Sequence, residues 1–104
     1  MRFTVREEAN EEAANHIAWY EERSPDAAER LRKLLAATTE KIALDPSRFP
    51  LLELRRNPGN IRRAKLRKFP IIVLYQLLAD EIYVFAVAHT SQRPGYWRKR
   101  LQHP

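Results

Sequence analysis

The residues of this chain best suited to chemistry stand in its last third. Arg63, Lys65 and Arg67 alternate with the apolar Ala64 and Leu66. A strand sends alternate side chains to opposite faces, so the spacing predicts a cationic ladder on one face and an apolar surface on the other. His89 and then Arg93-Pro94-Gly95-Tyr96-Trp97 follow, with Arg98, Lys99 and Arg100 behind them. Proline second and glycine third in Arg93–Tyr96 is a type II turn signature, which brings Arg93 and Tyr96 side by side beyond the last strand. In sequence these cations have no carboxylate neighbour, since Asp80 and Glu81 fall at the far end of the last strand. Such a set suits an anion, phosphate first.

One reaction fits these residue types without a metal: in-line attack of a ribose 2′-hydroxyl on its own phosphodiester. Cations would hold the phosphate and absorb its developing charge. Lys65, its pKa lowered by neighbouring cations, or His89 would act as base, and Tyr96 would donate a proton or stack on a nucleobase. Other readings stand beside this one. His89 also suits a hydrogen-bonded strand end, Tyr96-Trp97 an aromatic lid on the core, and the cations a solvated surface. The three histidines lack metal-ligand spacing, so no metal and no cofactor is expected.

Composition sets the frame. The chain has 104 residues and a net charge of +6, and it has no cysteine. One domain spanning 1–104 is expected, without disulfides, thiol chemistry or cysteine-ligated zinc. Residues 1–54 carry 8 basic and 11 acidic side chains, a net −3, and residues 55–104 carry 11 basic and 2 acidic, a net +9. No apolar run is long enough to span a bilayer, and Glu7, Glu8, Glu11 and Glu12 replace the apolar core of a signal peptide. A cytoplasmic protein with no membrane partner is expected.

The elements that must position these residues follow from periodicity. Arg2–Arg6 reads as a strand. A helix over 8–23 is predicted from the stripe Ala9, Ala13, Ile17 and Tyr20. Ser24-Pro25 ends it and caps a second helix over 25–44, whose Ala28, Leu31, Leu35, Thr38 and Ile42 form a packing seam. Asp45-Pro46 stops that helix. A linker follows, anchored by Phe49, Leu51, Leu52 and Leu54 and turning at Asn57-Pro58-Gly59-Asn60. Strands are predicted over 61–68, 71–78 and 81–89. The order predicts an α+β fold, an N-terminal strand and a helical hairpin packed on a small antiparallel β-sheet.

This ordered set resembles the RelE/ParE superfamily, the toxin half of type II toxin–antitoxin modules. The resemblance rests on Trp19-Tyr20-Glu21-Glu22-Arg23-Ser24-Pro25, Ile61-Arg62-Arg63-Ala64-Lys65-Leu66, Phe69-Pro70-Ile71-Ile72-Val73-Leu74-Tyr75, and Ala86-Val87-Ala88-His89 with Arg93-Pro94-Gly95-Tyr96-Trp97. It implies the same fold and a growth-inhibiting toxin silenced by a cognate antitoxin, which binds as an acidic extended segment with a helix. Two activities divide the superfamily. RelE-type members cleave mRNA on the ribosome, and Arg63, Lys65, Arg93 and Tyr96 resemble their site, with His89 near the histidine of some members. ParE-type members poison DNA gyrase without nuclease residues. Where RelE-type enzymes usually carry an arginine on the second meander strand, this chain has Ile72, and its closing segment is closer to ParE-like plasmid-stabilisation proteins. The resemblance therefore implies a ParE-like toxin acting on gyrase, with a ribosome-dependent, metal-independent ribonuclease as the alternative. Arg62, Arg67, Arg98, Lys99 and Arg100 are the expected contacts to target or nucleic acid.

Overall fold

The computed structural model describes residues 1–57 and 59–102. Strand β1 (Arg2–Val5) leads into helix α1 (Glu7–Arg23) and helix α2 (Pro25–Leu44), followed by strands β2 (Ile61–Lys65), β3 (Ile71–Leu77) and β4 (Glu81–His89). The sheet order is β1-β4-β3-β2. β2, β3 and β4 form the expected antiparallel meander, and β1 lies parallel to β4. The sheet is thus mixed where an antiparallel one was expected. The hairpin of helices and the linker carry the chain from β1 at one edge of the sheet to β2 at the other, and the meander then brings β4 back beside β1; a parallel pair requires a long connection of this kind.

The helices form where local chemistry directs. Glu7 and Glu8 occupy the first turn of α1, at the positive end of its dipole. Ser24 closes α1 and caps α2, its hydroxyl accepting from the Ala27 N–H at 3.2 Å, with Pro25 at the first helical position. The predicted stripe and seam face the sheet. Ala9, Leu31 and Ile42 are fully buried against Ala64, Ile71, Val73 and Tyr75, with Ala13, Ile17, Tyr20 and Leu35 packed at the margin.

The other sheet face has its own apolar layer. Ile61, Leu74, Phe85, Ala86 and Ala88 lie beneath Trp97, which is 4% exposed, with Leu52, Leu54 and Leu101 around it. Trp97 is the aromatic lid, its ring 5.0 Å from that of Phe85. A β-bulge between the Leu74–Ala86 and Tyr75–Val84 pairs puts Phe85 and Ala86 in this same layer.

Two expectations are corrected. β2 ends at Lys65, not Lys68. The Leu66 N–H donates to the Ile71 carbonyl at 3.0 Å, Lys68 takes φ 67°, and Pro70 has no N–H to extend the ladder. Leu51 is 50% exposed, so its side chain is not an anchor; its backbone bridges to Arg62 instead. The predicted Asn57–Asn60 turn includes Pro58, which lies outside the described residues. Its flanks are tied by Asn57. That side chain donates to the Leu52 and Ile61 carbonyls, at 3.0 Å each, and accepts from the Ile61 N–H at 2.6 Å. Asn57→Ala should strand these backbone groups and lower stability by about 1–3 kcal/mol in urea titrations.

Candidate functional site

The structure divides the expected cations among separate places. Arg63 and Lys65 share the face of Ile61, away from the helices, opposite Leu74 and Ile72 in the ladder. Arg67 does not join them. It follows the end of β2 and, with Lys68, lines a groove beside α2. Arg62 is committed to the scaffold, its Nη1 donating to the Ser47 and Phe49 carbonyls at 3.0 and 2.6 Å and its Nε to Asn60 Oδ1 at 3.0 Å.

The turn Arg93–Tyr96 forms as predicted. Gly95 has φ 81°, as the third position of a type II turn requires, and the Tyr96 N–H reaches the Arg93 carbonyl at 3.3 Å. Arg93, Tyr96 and Arg98 line a cleft of about 220 Å³ whose floor includes Ile72, Leu74 and Ala88. Arg63 and Lys65 are not among its lining residues. Ile72 pairs with Lys65 on one side and Ala88 on the other, so an aliphatic side chain holds the middle of that row.

A carboxylate stands where none was expected. Glu12 of α1 accepts from the Tyr96 hydroxyl at 2.7 Å, from Arg100 Nη1 at 2.9 Å and from the Val87 N–H at 3.0 Å. Arg100 also donates to the Phe85 carbonyl at 3.1 Å, and its guanidinium lies 5.2 Å from the Tyr96 ring centre. Both members of the Glu12–Arg100 pair are 17% exposed at the side chain. The expectation of a cation cluster free of carboxylates is therefore corrected: a residue of the acidic half reaches into the basic half through the fold. Sequence reasoning passed over Glu12. The available signal was its place, with His16 at i+4, on the flank of the α1 apolar stripe.

Tyr96 is accordingly a poor proton donor to a substrate. Burial and its bond to Glu12 raise its pKa, and its hydroxyl hydrogen is already engaged. His89 pairs with Ile71, a residue of the helix-facing layer. Its Nδ1 accepts from the Ser91 N–H at 3.1 Å, and its ring centre lies 6.2 Å from that of His16. Arg98 has its guanidinium 5.9 Å from the Trp97 ring centre, and Arg98 and Lys99 are exposed. Among the described residues no three His, Asp or Glu side chains gather in a metal-holding group. No helix among those residues is long and apolar enough to cross a membrane.

Comparison with known proteins agrees with this frame. The model of the family described as "ParE toxin of type II toxin-antitoxin system, parDE" matches residues 3–94. A solved structure, "Chromosomal ParDE TA system from P. aeruginosa", superposes with a TM-score of 0.71 at 13% sequence identity, covering 86% of this chain and 95% of that one. No curated protein matches significantly. The chain belongs to the ParE toxin family. It is the toxin of a type II toxin–antitoxin system, and an antitoxin is its partner.

One test follows from the Glu12 contacts and another from the buried phenols. Glu12→Ala leaves a largely buried guanidinium and the Val87 N–H without their acceptor, and should cost about 3 kcal/mol in chemical unfolding. Alkaline unfolding tests the buried phenols. Tyr75, fully buried and donating to the Pro46 carbonyl at 2.6 Å, has its pKa pushed up to about 12, chiefly by burial; Tyr96 is raised as well. The native state keeps protons that the unfolded chain releases near pH ~10. This stabilisation is whole below about pH 10 and is lost as the pH rises toward 12. The urea midpoint should fall over that window, and fall less in Tyr75→Phe.

Proposed function

We propose that this toxin acts by binding its target, DNA gyrase, and not by cleaving RNA. The observation that carries the reading is the capture of Tyr96 and Arg100 by Glu12. The phenol that a ribonuclease would use as proton donor serves the fold instead, and so does Arg100, one of the expected target contacts. Arg63 and Lys65 lie on the same sheet face as the Arg93–Tyr96 cleft, beside its floor residues Leu74 and Ile72, but they do not line it, and the residue next to Lys65 is the aliphatic Ile72. A phosphoryl-transfer site that loses cations and its proton donor loses several kcal/mol of transition-state stabilisation. Binding has no such requirement. The cations free to meet a target are then Arg93 and Arg98, exposed at the apolar cleft, and the exposed Lys99 next in sequence. The choice of gyrase rests on the activity that the ParE-type resemblance implies, and it carries with it a cytoplasmic site of action.

Three expressed proteins test this: wild type, Arg63→Ala with Lys65→Ala, and Arg98→Ala with Lys99→Ala. The last pair lies outside the Glu12 contacts, so the fold should persist. Growth, mRNA cleavage and DNA breaks are scored together. DNA breaks should appear with the wild type and the first variant and drop at least tenfold with the second. Cleaved mRNA in the wild type that vanishes with the first variant would replace this reading with the ribonuclease.

A further inference from the structure

Four rings and a proline gather where α1 meets the end of β4. Asn15, His16, Trp19 and Tyr20 of α1, Pro70 before β3 and His89 at the end of β4 line a cavity of about 460 Å³, a size typical of small-ligand pockets. On α1 these residues stand at i, i+1, i+4 and i+5, so two adjacent rows of one helix face supply them. No Lys, Arg, Asp or Glu lines the cavity. The rings are fixed by the fold. Tyr20 meets Trp19 and Phe69 edge-on, with ring centres 4.9 and 5.2 Å apart. The Arg23 guanidinium lies 3.8 Å from the Trp19 ring centre and donates to the Trp19 carbonyl at 2.8 Å. Trp19 is nonetheless 52% exposed, an indole held in place without being buried. The two imidazoles, ring centres 6.2 Å apart, offer opposite polarity. The Val87 carbonyl can only accept, so His16 Nε2, at 2.9 Å, carries its hydrogen, and neutral His16 keeps a lone pair on Nδ1. The Ser91 N–H can only donate, so His89 Nδ1, at 3.1 Å, holds the lone pair and Nε2 carries the hydrogen. Among the described residues neither His16 Nδ1 nor His89 Nε2 has a hydrogen-bond partner.

We propose that this cavity binds a nucleobase, stacked among the rings and read along one edge by His16 Nδ1 and His89 Nε2–H. A nucleobase has a flat π-face and, on its Watson–Crick edge, a donor beside an acceptor, which is what one lone pair and one N–H require. An aliphatic side chain of a partner would fill the space and leave both nitrogens unpaired. A metal ion would need a lone pair from each imidazole, and His89 presents its N–H instead. An isolated anion finds no Lys or Arg here. The base of a free nucleotide and the base of a single strand share this chemistry. The proposal does not depend on the choice of target, since Arg93, Arg98 and Lys99 do not line this cavity.

The isotope-labelled protein is titrated with adenosine, cytidine, guanosine and uridine, and the indole N–H signals of Trp19 and Trp97 are followed by NMR. Trp97, 4% exposed in the apolar layer of the other sheet face, is the internal reference. At least one nucleoside should shift the Trp19 signal saturably, with a Kd below roughly 1 mM, and leave that of Trp97 in place. Read from backbone amide shifts, Trp19→Ala and His89→Phe should each bind at least tenfold more weakly, the first through lost stacking and the second through the lost N–H. Trp19→Phe, which keeps a ring, should stay within about threefold. Thermal unfolding confirms that each variant is folded. The matching mononucleotide and a short single-stranded oligonucleotide separate the two sources. Oligonucleotide binding at least tenfold tighter assigns the pocket to a strand, equal affinity assigns it to a free nucleotide, and both support the pocket when Trp19→Ala weakens them. No saturable Trp19 shift with any nucleoside overturns the proposal. So does unchanged affinity in His89→Phe, which leaves ring stacking without a read edge. Zinc binding that moves both imidazole signals while no nucleoside does assigns the pair to a metal and also overturns it.

Discussion

The free edge of β4 is the constraint that the rest of the molecule answers. β4 spans nine residues, while β1 pairs with it only from Glu81 to Val84. Beyond that point the outward N–H and C=O groups still need partners, and an open edge would invite pairing with another chain. Side chains supply them. Arg100 donates to the Phe85 carbonyl, Glu12 accepts from the Val87 N–H, His16 lies 2.9 Å from the Val87 carbonyl, and Gln92 accepts from the His89 N–H. Two of these come from α1 and two from the segment after β4. One unpaired half-strand thus sets where the first helix lies and where the C-terminal cations lie.

The C-terminal segment is tied down by the same means along its length. Tyr83 donates to the Arg100 carbonyl at 2.8 Å and receives Arg6 Nη1 at 3.1 Å. Gln76, fully buried, bonds the Gln102 backbone with both ends of its amide, its Nε2 donating and its Oε1 accepting. These bonds, with Trp97 in the apolar layer, explain why a stretch without a regular strand or long helix can present charged side chains at fixed positions. Polar groups paired in a low-dielectric setting hold direction as well as distance.

The helices and most strand ends were legible because their signals are local. Ser24-Pro25 and Asp45-Pro46 punctuate the helices by backbone chemistry that needs no partner. The turn at Arg93–Tyr96 was legible for the same reason, since glycine third after proline prescribes its φ. The candidate site was less so. The alternation Arg63, Lys65, Arg67 predicted one face only while the strand lasted, and Phe69-Pro70 ended the pairing sooner. Glu12 was invisible as a partner of Tyr96 because the two are 84 positions apart. Yet the need for something like it was written in the lengths: a first strand of about five residues cannot cover a last strand of nine. A carboxylate and an imidazole on one flank of α1 were the groups available to finish the edge.

Charge segregation in the sequence therefore understates how the fold distributes charge. The acidic half lends one carboxylate to the basic half, where it neutralises Arg100 and occupies Tyr96. The basic half is itself parted, with Arg63 and Lys65 on one sheet face and Arg67 and Lys68 beside α2. A nuclease needs its cations gathered on one phosphate within hydrogen-bond reach. A binding protein gains from spreading them, because each surface can then meet a different partner by its own combination of apolar area and charge. Ile72 follows the same logic: between Lys65 and Ala88 an arginine would bring a second charge into the row, while isoleucine extends the layer that Trp97 closes. In the binding reading proposed above, the contacts that withdraw Tyr96 and Arg100 from a phosphate are the ones that hold the C-terminal segment rigid.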